Sequence, residues 1–221
     1  MPYRLVSLDM AGTTFDDGST VYDTLSSVVS DAAGMEVPRE LLEQWTGTSK
    51  QEAIRGMLLS LRSDANPDAV YADFTVMLDR IYRERPPLPF AGVSEMLERL
   101  RDRGVKVALQ TGYARPITEI LLEAAGWRVG HELDAVVTSD EVPASRPAPF
   151  MIFRTMEQTG VDDVRNVLVA GDTPNDLGAG MRAGAGFVVG VLSGAHSIEE
   201  LGRAAHTHIL PSVLDIEELG R

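Results

Sequence analysis

The chain contains 221 residues, which is enough for one sizeable domain or for one domain with a smaller insertion. Hydrophobic residues make up 44% of it and aromatic residues 6%, as in ordinary globular proteins. The formal net charge is −13, and the acidic residues are spread along the chain. This charge argues against nucleic acid or an anionic membrane as a partner, because both would be repelled.

Two features bear on the compartment. The chain contains no cysteine, which excludes disulfides and thiol chemistry and suits a reducing compartment. The apolar run before Asp9 is too short for the core of a signal peptide, and residues 183–195 are too few and too rich in glycine to span a bilayer. We therefore expect a cytoplasmic protein without a membrane partner.

In chain order, short apolar runs predict buried strands, and amphipathic segments predict helices between them. The predicted strands are Leu5–Leu8, Val105–Gln110, Asp134–Val137, Val167–Ala170 and Gly186–Val191. The predicted helices are Val93–Arg103, Pro116–Ala125, Pro149–Gly160 and Asn175–Gly184. This alternation predicts an α/β fold with a Rossmann-like parallel sheet and helices on both faces.

The segment from Asp16 to Arg85 differs, because its pattern is helical throughout. Residues Ser49–Leu61 place apolar side chains on one face at helical spacing, and Asn66-Pro67 begins another helix. We interpret the segment as a small all-helical cap inserted after the first strand, with connections at Phe15–Gly18 and Pro86–Gly92. The predicted division is a core of residues 1–15 and 86–221 and a cap of residues 16–85.

Polar residues follow four of the predicted strands. In open parallel sheets, ligands bind beyond the carboxyl ends of the strands, so these residues should converge in space. They are Asp9, Thr111, the loop Asp140–Arg146 and Asp172.

Each of these pieces also has an ordinary structural explanation. Asp9 would serve equally well in capping a turn, and Asp172 or Thr173 would cap a helix that begins at Pro174. Two carboxylates four residues apart, Asp172 and Asp176, suit a hard cation better than they suit capping alone. In combination, a nucleophile, a hydroxyl, a cationic side chain and an acid pair predict a site for a phosphoryl group.

The motifs D-x-A-G-T-T from Asp9, T-G from Thr111, R-P-x-P from Arg146 and G-D-T-x-x-D from Gly171 follow one another along the chain. Their order resembles the haloacid dehalogenase superfamily of aspartate-nucleophile hydrolases over nearly the whole chain. Within it, the sequence is similar to the phosphonatase branch, the phosphonoacetaldehyde hydrolases and their relatives. Two positions point there: most phosphatases carry a second aspartate where this chain has Ala11, and a lysine where it has Arg146.

The resemblance implies that Asp9 attacks phosphorus and that Mg²⁺ is held by Asp9, the Ala11 carbonyl and Asp172. Asp176 would orient Arg146 or a metal-bound water. Catalysis is assigned to Asp9, Lys50, Arg146 and Thr111. The implied phosphate or substrate contacts come from Ala11, Gly12, Thr13, Gly47, Thr111, Gly112, Tyr113 and Arg146.

The phosphonatase branch forms an imine between a cap lysine and an aldehyde substrate, and Lys50 stands at that lysine's position. It is one of only two lysines in the chain, although a solvated lysine at a helix start is the ordinary alternative. Ala11 cannot protonate a leaving alkoxide, but a carbanion delocalised into an imine needs no such acid. The imine route requires that the pKa of Lys50 fall from about 10.4 to about 7–8.

Two departures leave the substrate open. The branch carries a methionine where this chain has Thr46 and a histidine where it has Ala53. The expected partner is a small phosphonate or phosphorylated substrate, and a homodimer is compatible with the sequence. A phosphate monoesterase, a carbon–halogen hydrolase and a non-catalytic phosphate-binding protein are the alternatives.

Some conspicuous residues are better explained by structure than by chemistry. His206 and His208 are more often a satisfied pair than a metal site. Trp45 and Trp127 are better explained by packing, although Trp45 could line the cleft.

Overall fold

The computed structural model describes residues 2–220. The strands are β1 (Leu5–Leu8), β2 (Phe15–Asp16), β3 (Leu88–Pro89), β4 (Lys106–Thr111), β5 (Ala135–Thr138), β6 (Val167–Gly171), β7 (Phe187–Val191) and β8 (His208–Leu210). The helices are α1 (Thr20–Ala33), α2 (Arg39–Glu43), α3 (Lys50–Ser60), α4 (Pro67–Glu84), α5 (Val93–Asp102), α6 (Arg115–Ala125), α7 (Phe150–Thr159), α8 (Pro174–Ala183) and α9 (Ile198–Leu201). Short 3₁₀ helices lie at Ser139–Glu141, Val164–Asn166 and Val213–Gly220.

Within residues 2–220, six strands form one parallel sheet in the order β5-β4-β1-β6-β7-β8. Alternate side chains of the central strand β1 belong to different apolar clusters: Val6 and Leu8 join one, and Leu5 joins another with Ile152 of α7 and Ala179 of α8. Both faces of the sheet are therefore buried, as expected for parallel strands connected through helices. The predicted α/β fold class is confirmed.

Helices α1 to α4 all lie between β1 and β4 in the chain and form the predicted helical insertion. Asn66 caps α4 by accepting a hydrogen bond from the amide of Asp68, and Pro67 occupies the first turn, where its missing N–H costs nothing. The connections themselves are not irregular, because β2 and β3 pair as a short antiparallel ribbon. The exact division of core from cap at residues 15 and 86 stays a prediction.

The predicted elements of the sheet lie within one residue of their observed bounds, and β8 is an additional edge strand. No helix in the described part of the chain has both the length and the apolar character needed to cross a membrane.

Candidate active site at the carboxyl ends of the strands

A small cavity lies where the sequence predicts a site. Asp9 follows β1, Thr111 ends β4, and Asp172 follows β6, so three neighbouring strands of the sheet deliver them to one edge. The cavity measures about 10 Å³, roughly the space of one water molecule. It is lined by Asp9, Ala11, Val21, Tyr22, Gly47, Lys50, Thr111, Gly112, Tyr113 and Arg146.

Three buried carboxylates form a cluster beside this cavity. One oxygen from each of Asp9, Asp172 and Asp176 lies within 4.8 Å of the others. Burial raises the pKa of Asp9 to about 7, against the opposing effect of Arg146. Burial and the nearby carboxylates raise the pKa of Asp172 well above its usual value. Burial is the main cause of both shifts, and a cation beside the carboxylates would lower both pKa values.

The cluster fits a hard divalent cation. Carboxylate oxygens are the ligands that Mg²⁺ prefers, and two ligands of one Mg²⁺ lie at most about 4.2 Å apart, so small adjustments suffice. Asp176 is already committed: one oxygen pairs with Arg146, and the other accepts from the backbone N–H and hydroxyl of Thr173. Asp9 and Asp172 are therefore the carboxylates available for a cation.

Arg146 joins two of the carboxylates. Its side chain is buried, and it donates to Asp9 Oδ1 at 2.6 Å and to Asp176 Oδ1. Among residues 2–220, its Nε finds no acceptor, which leaves one buried donor at the edge of the cavity. A phosphoryl oxygen would supply that acceptor and would face a guanidinium that is always charged. Asp176 therefore contacts Arg146, and its role in orienting Arg146 or a metal-bound water stays a prediction.

Asp172 is held by two hydrogen-bond donors. The Thr13 hydroxyl donates to Oδ1 at 3.3 Å, and the Ala195 amide donates to Oδ2 at 2.7 Å. Thr13 thus contacts a carboxylate and does not line the cavity. The amides of Gly12 and Thr13 bond to Phe15 and Met10 within their own turn. The part of Gly12 and Thr13 in phosphate binding stays a prediction.

Lys50 enters the cavity from the cap. It is the first residue of α3 and only 5% exposed, which answers the alternative of a solvated lysine. Its Nζ donates to the Thr48 carbonyl at 3.1 Å and lies 5.1 Å from the centre of the Tyr22 ring. Burial, followed by the charge of Arg146, lowers the pKa of Lys50 from 10.5 to about 8. A usable fraction of this amine is therefore neutral near neutral pH.

Two glycines allow the cap to lie directly on the core. A Cβ on Gly112 would stand 2.3 Å from the Thr48 carbonyl oxygen, and one on Gly47 would stand 2.2 Å from Thr173 Oγ1. Gly47 also has a φ of +74°, which L side chains rarely adopt. Asn175 of the core donates to the Thr46 carbonyl at 2.8 Å. The described conformation is closed, so a substrate must enter before the cap reaches it.

The residues that replace the family's cap methionine and histidine lie in different surroundings. Ala53 is fully buried on α3, and Thr46 Oγ1 lies 3.4 Å from His196 Nε2. Neither supplies an acid or base to Lys50. Trp45 packs on Gly56 and does not line the cavity. His206 and His208 bond to Ala204 and Thr207, as expected for a satisfied pair.

The sequence reasoning overlooked Tyr22, Asp17 and Tyr82. The Tyr22 hydroxyl accepts from the Gly47 amide at 3.0 Å and so positions the cap loop beside Lys50. Asp17 falls within a predicted connection, and Tyr82 falls within a long predicted helix, so neither stands out in the sequence. The periodicity of α4, which buries Tyr82, is the one available signal.

Comparisons with known proteins agree with this geometry. The family model of haloacid dehalogenase-like hydrolases matches residues 3–184. The phosphonoacetaldehyde hydrolase of Nitratidesulfovibrio vulgaris is 33% identical over 205 residues, covering 86% of this chain and 72% of the relative. The enzyme of that name from Bacillus cereus is 29% identical over 211 residues, covering 90% and 79%.

Solved structures give the same result. A phosphonoacetaldehyde hydrolase-like protein from Oleispira antarctica superposes with a TM-score of 0.83 at 26% identity, covering 99% of this chain and 91% of the other. A hydrolase from Pseudomonas syringae, at 21% identity and a TM-score of 0.82 over 98% and 96% of the two chains, shares the fold. The chain belongs to the haloacid dehalogenase-like hydrolases and is related within them to the phosphonoacetaldehyde hydrolases.

Proposed function

We propose that the protein hydrolyses a carbon–phosphorus bond in a small phosphonoaldehyde, with Asp9 as the nucleophile and Lys50 as the imine-forming amine. The observation that carries this proposal is the shared cavity: the buried Lys50 amine and the Asp9 carboxylate line the same space. A buried lysine of lowered pKa suits imine formation, because the amine must lose its proton before it can add to an aldehyde.

In the proposed route, the neutral Lys50 amine adds to the aldehyde carbon and water leaves to give an imine, whose nitrogen then takes up one proton from solvent. Asp9 then attacks phosphorus, and the electron pair of the breaking bond flows from carbon into the imine to give an enamine. Arg146 holds Asp9 and offers its unpaired Nε to the transferring group. Water releases phosphate from Asp9, while protonation and hydrolysis of the enamine free Lys50.

Asp9 and Asp172, with the Ala11 carbonyl, would hold a divalent cation, which we propose to be Mg²⁺. Bound there, the cation would screen the carboxylates from an anionic substrate and polarise a phosphoryl oxygen. The protein's own part is to keep Asp172 oriented through Thr13 and the Ala195 amide. Ala11, which lacks a carboxylate, adds no further negative charge beside Asp9.

A phosphate monoesterase is the second candidate. It is favoured by the burial of Ala53 on α3, where the related aldehyde-cleaving enzymes carry a histidine. In such an enzyme Lys50 would bind an anionic substrate as an ammonium ion.

Turnover of phosphonoacetaldehyde and of an activated aryl phosphate distinguishes the two candidates. We expect Lys50→Ala to abolish release of phosphate from the aldehyde and borohydride trapping of an adduct. Lys106→Ala removes the other lysine, which is exposed and paired with Asp134, and should leave both intact. Turnover of the aryl phosphate but not of phosphonoacetaldehyde by the wild type would instead establish the monoesterase.

A further inference from the structure

The small cavity raises the question of proton supply. The proposed route consumes a proton when the enamine carbon is protonated, and the cavity has space for about one water. Ala11 and Ala53 replace the two residues that would otherwise carry an acid or a base near this point. The side chains packed around Lys50 offer another path for this proton.

A chain of hydrogen bonds leads outward from the cavity. The Tyr113 hydroxyl lies 2.9 Å from the Tyr82 hydroxyl, and Tyr82 donates to Asp17 Oδ2 at 3.3 Å. Lys50 Nζ lies 5.7 Å from the centre of the Tyr113 ring. Tyr82 and Tyr113 are 0% and 3% exposed, so bulk water does not reach their hydroxyls.

The far end of the chain faces solvent. Asp17 is half-buried and lines an open groove of about 590 Å³. It also lines a smaller cavity of about 100 Å³, which shares Tyr22 and Ala11 with the cavity beside Lys50. The three side chains thus connect the groove with the space beside Lys50 while the cap is closed.

We propose that Asp17 and Tyr82 are positioning residues that pass protons, through the Tyr113 hydroxyl, between the outer groove and the substrate carbon attached to Lys50. The assignment rests on the imine route proposed above. Tyr113 lines the cavity with Lys50 and is the member of the chain that would touch the substrate.

The proton balance follows from the capacity of a tyrosine hydroxyl, which donates once and accepts. When Asp17 is ionised, Tyr82 donates to it and Tyr113 donates to Tyr82, so the Tyr113 oxygen presents only lone pairs to the cavity. When Asp17 is protonated, it donates to Tyr82, Tyr82 donates to Tyr113, and Tyr113 donates into the cavity. Protonation of the enamine carbon by Tyr113 moves one proton along each link and leaves Asp17 ionised, to be reprotonated from the groove.

The surroundings of Asp17 suit this alternation. Burial raises the pKa of Asp17, while the backbone amide of Val21, Tyr82 and the charge of Lys50 lower it. Tyr82 faces Asp17 from α4, Lys50 faces it from α3, and Asp16 precedes it with its carboxylate bonded to the Gly18 amide. Burial thus favours the protonated carboxyl and the hydrogen bonds favour the carboxylate, which are the two forms between which the relay alternates.

Hydrogen exchange on a simple aldehyde tests the relay without phosphorus or metal. Metal-free protein is incubated with acetaldehyde in D₂O; NMR follows deuterium entering the methyl group, and borohydride trapping measures the imine in parallel. Because positioned proton transfer contributes about 10²–10⁴-fold, we expect Tyr82→Phe and Asp17→Asn to slow exchange at least about tenfold. The trapped adduct should stay within about twofold of wild type.

Tyr71→Phe is the matched control, since it removes a hydroxyl from the same helix at a position outside the chain. It should exchange at the wild-type rate. Undiminished exchange in Tyr82→Phe, or equal losses of exchange and of trapped adduct, would overturn the relay alone. Equal slowing in Tyr71→Phe would overturn it as well. No adduct in wild type would overturn the imine route and the relay with it.

Discussion

The burial of Lys50 has opposite effects on the reactivity of its amine and on the stability of the protein. Its pKa falls from 10.5 to about 8 on folding, so the unfolded chain binds a proton that the folded protein releases between these values. The free energy of unfolding contributed by this residue therefore rises as pH increases from about 8 to about 10.5, and below pH 8 the charged amine destabilises the fold. Burial that makes the amine reactive also weakens the protein at neutral pH.

Replacing Lys50 with methionine should remove the destabilisation that the buried, charged amine causes. A shift from 10.5 to about 8 corresponds to about 3 kcal/mol. We expect metal-free Lys50→Met to gain up to about this much stability over wild type at pH 6, with the gain disappearing near pH 10.5. Urea unfolding at both pH values measures it. An equal difference at the two would show that burial of the charged amine is not the cause.

At the scale of elements, the N-terminus of α3 is held by the loop that carries Arg146. The Ser49 amide donates to Ser145 Oγ at 2.8 Å, and the Ser145 amide donates to Glu52 Oε1 at 3.1 Å. Ser49 immediately precedes Lys50, and Ser145 immediately precedes Arg146. One pair of bonds therefore brings the cap amine and the core guanidinium to the cavity together.

Ser145→Ala should weaken this closure. It leaves the buried Ser49 amide without its acceptor, which costs about 1–3 kcal/mol in the closed form. We expect kcat/KM for phosphonoacetaldehyde to fall by about 5–100-fold, with faster hydrogen exchange at the Ser49 amide. Gln51→Ala, on the exposed side of α3, is the control and should change kcat/KM less than twofold. Slower turnover without faster exchange would place the effect elsewhere.

Five strands of the sheet were predictable because each is a mostly apolar run, and polar residues after three neighbouring strands indicated where Asp9, Thr111 and Asp172 meet. The β2–β3 ribbon was not predictable, because its strands have two residues each and one contains Pro89. Its pairing joins residues on either side of the helical insertion, such as Phe15 and Pro89, so no local pattern indicates it.

The residues of the site also include some that were predictable from the sequence and some that were not. The functions of Asp9 and Arg146 could be predicted because both residues lie within motifs of the family. The chain from Asp17 through Tyr82 to Tyr113 joins residues separated by 65 and 31 positions, and no local pattern links them. Such contacts depend on how α4 packs, which periodicity predicts only as a buried face.

For the whole molecule, the carboxylate cluster makes stability depend on the cation. Removing one carboxylate relieves repulsion, so metal-free Asp172→Asn should be more stable than metal-free wild type. Mg²⁺ at 100 times its Kd should stabilise wild type by about 2.7 kcal/mol, or roughly 5–10 °C in Tm. Thermal unfolding with Mg²⁺ or EDTA measures both effects. An equal Mg²⁺ response in the variant would show that the cation binds elsewhere.

The scarcity of lysine gives the molecule a built-in reporter. Lys106 has a side chain that is 47% exposed, whereas Lys50 is shielded by the closed cap. An amine-reactive reagent should therefore label Lys106 at all times and Lys50 only when the cap is open. The ratio of labelled Lys50 to labelled Lys106, measured by mass spectrometry, would report how often the cap opens in the substrate-free enzyme.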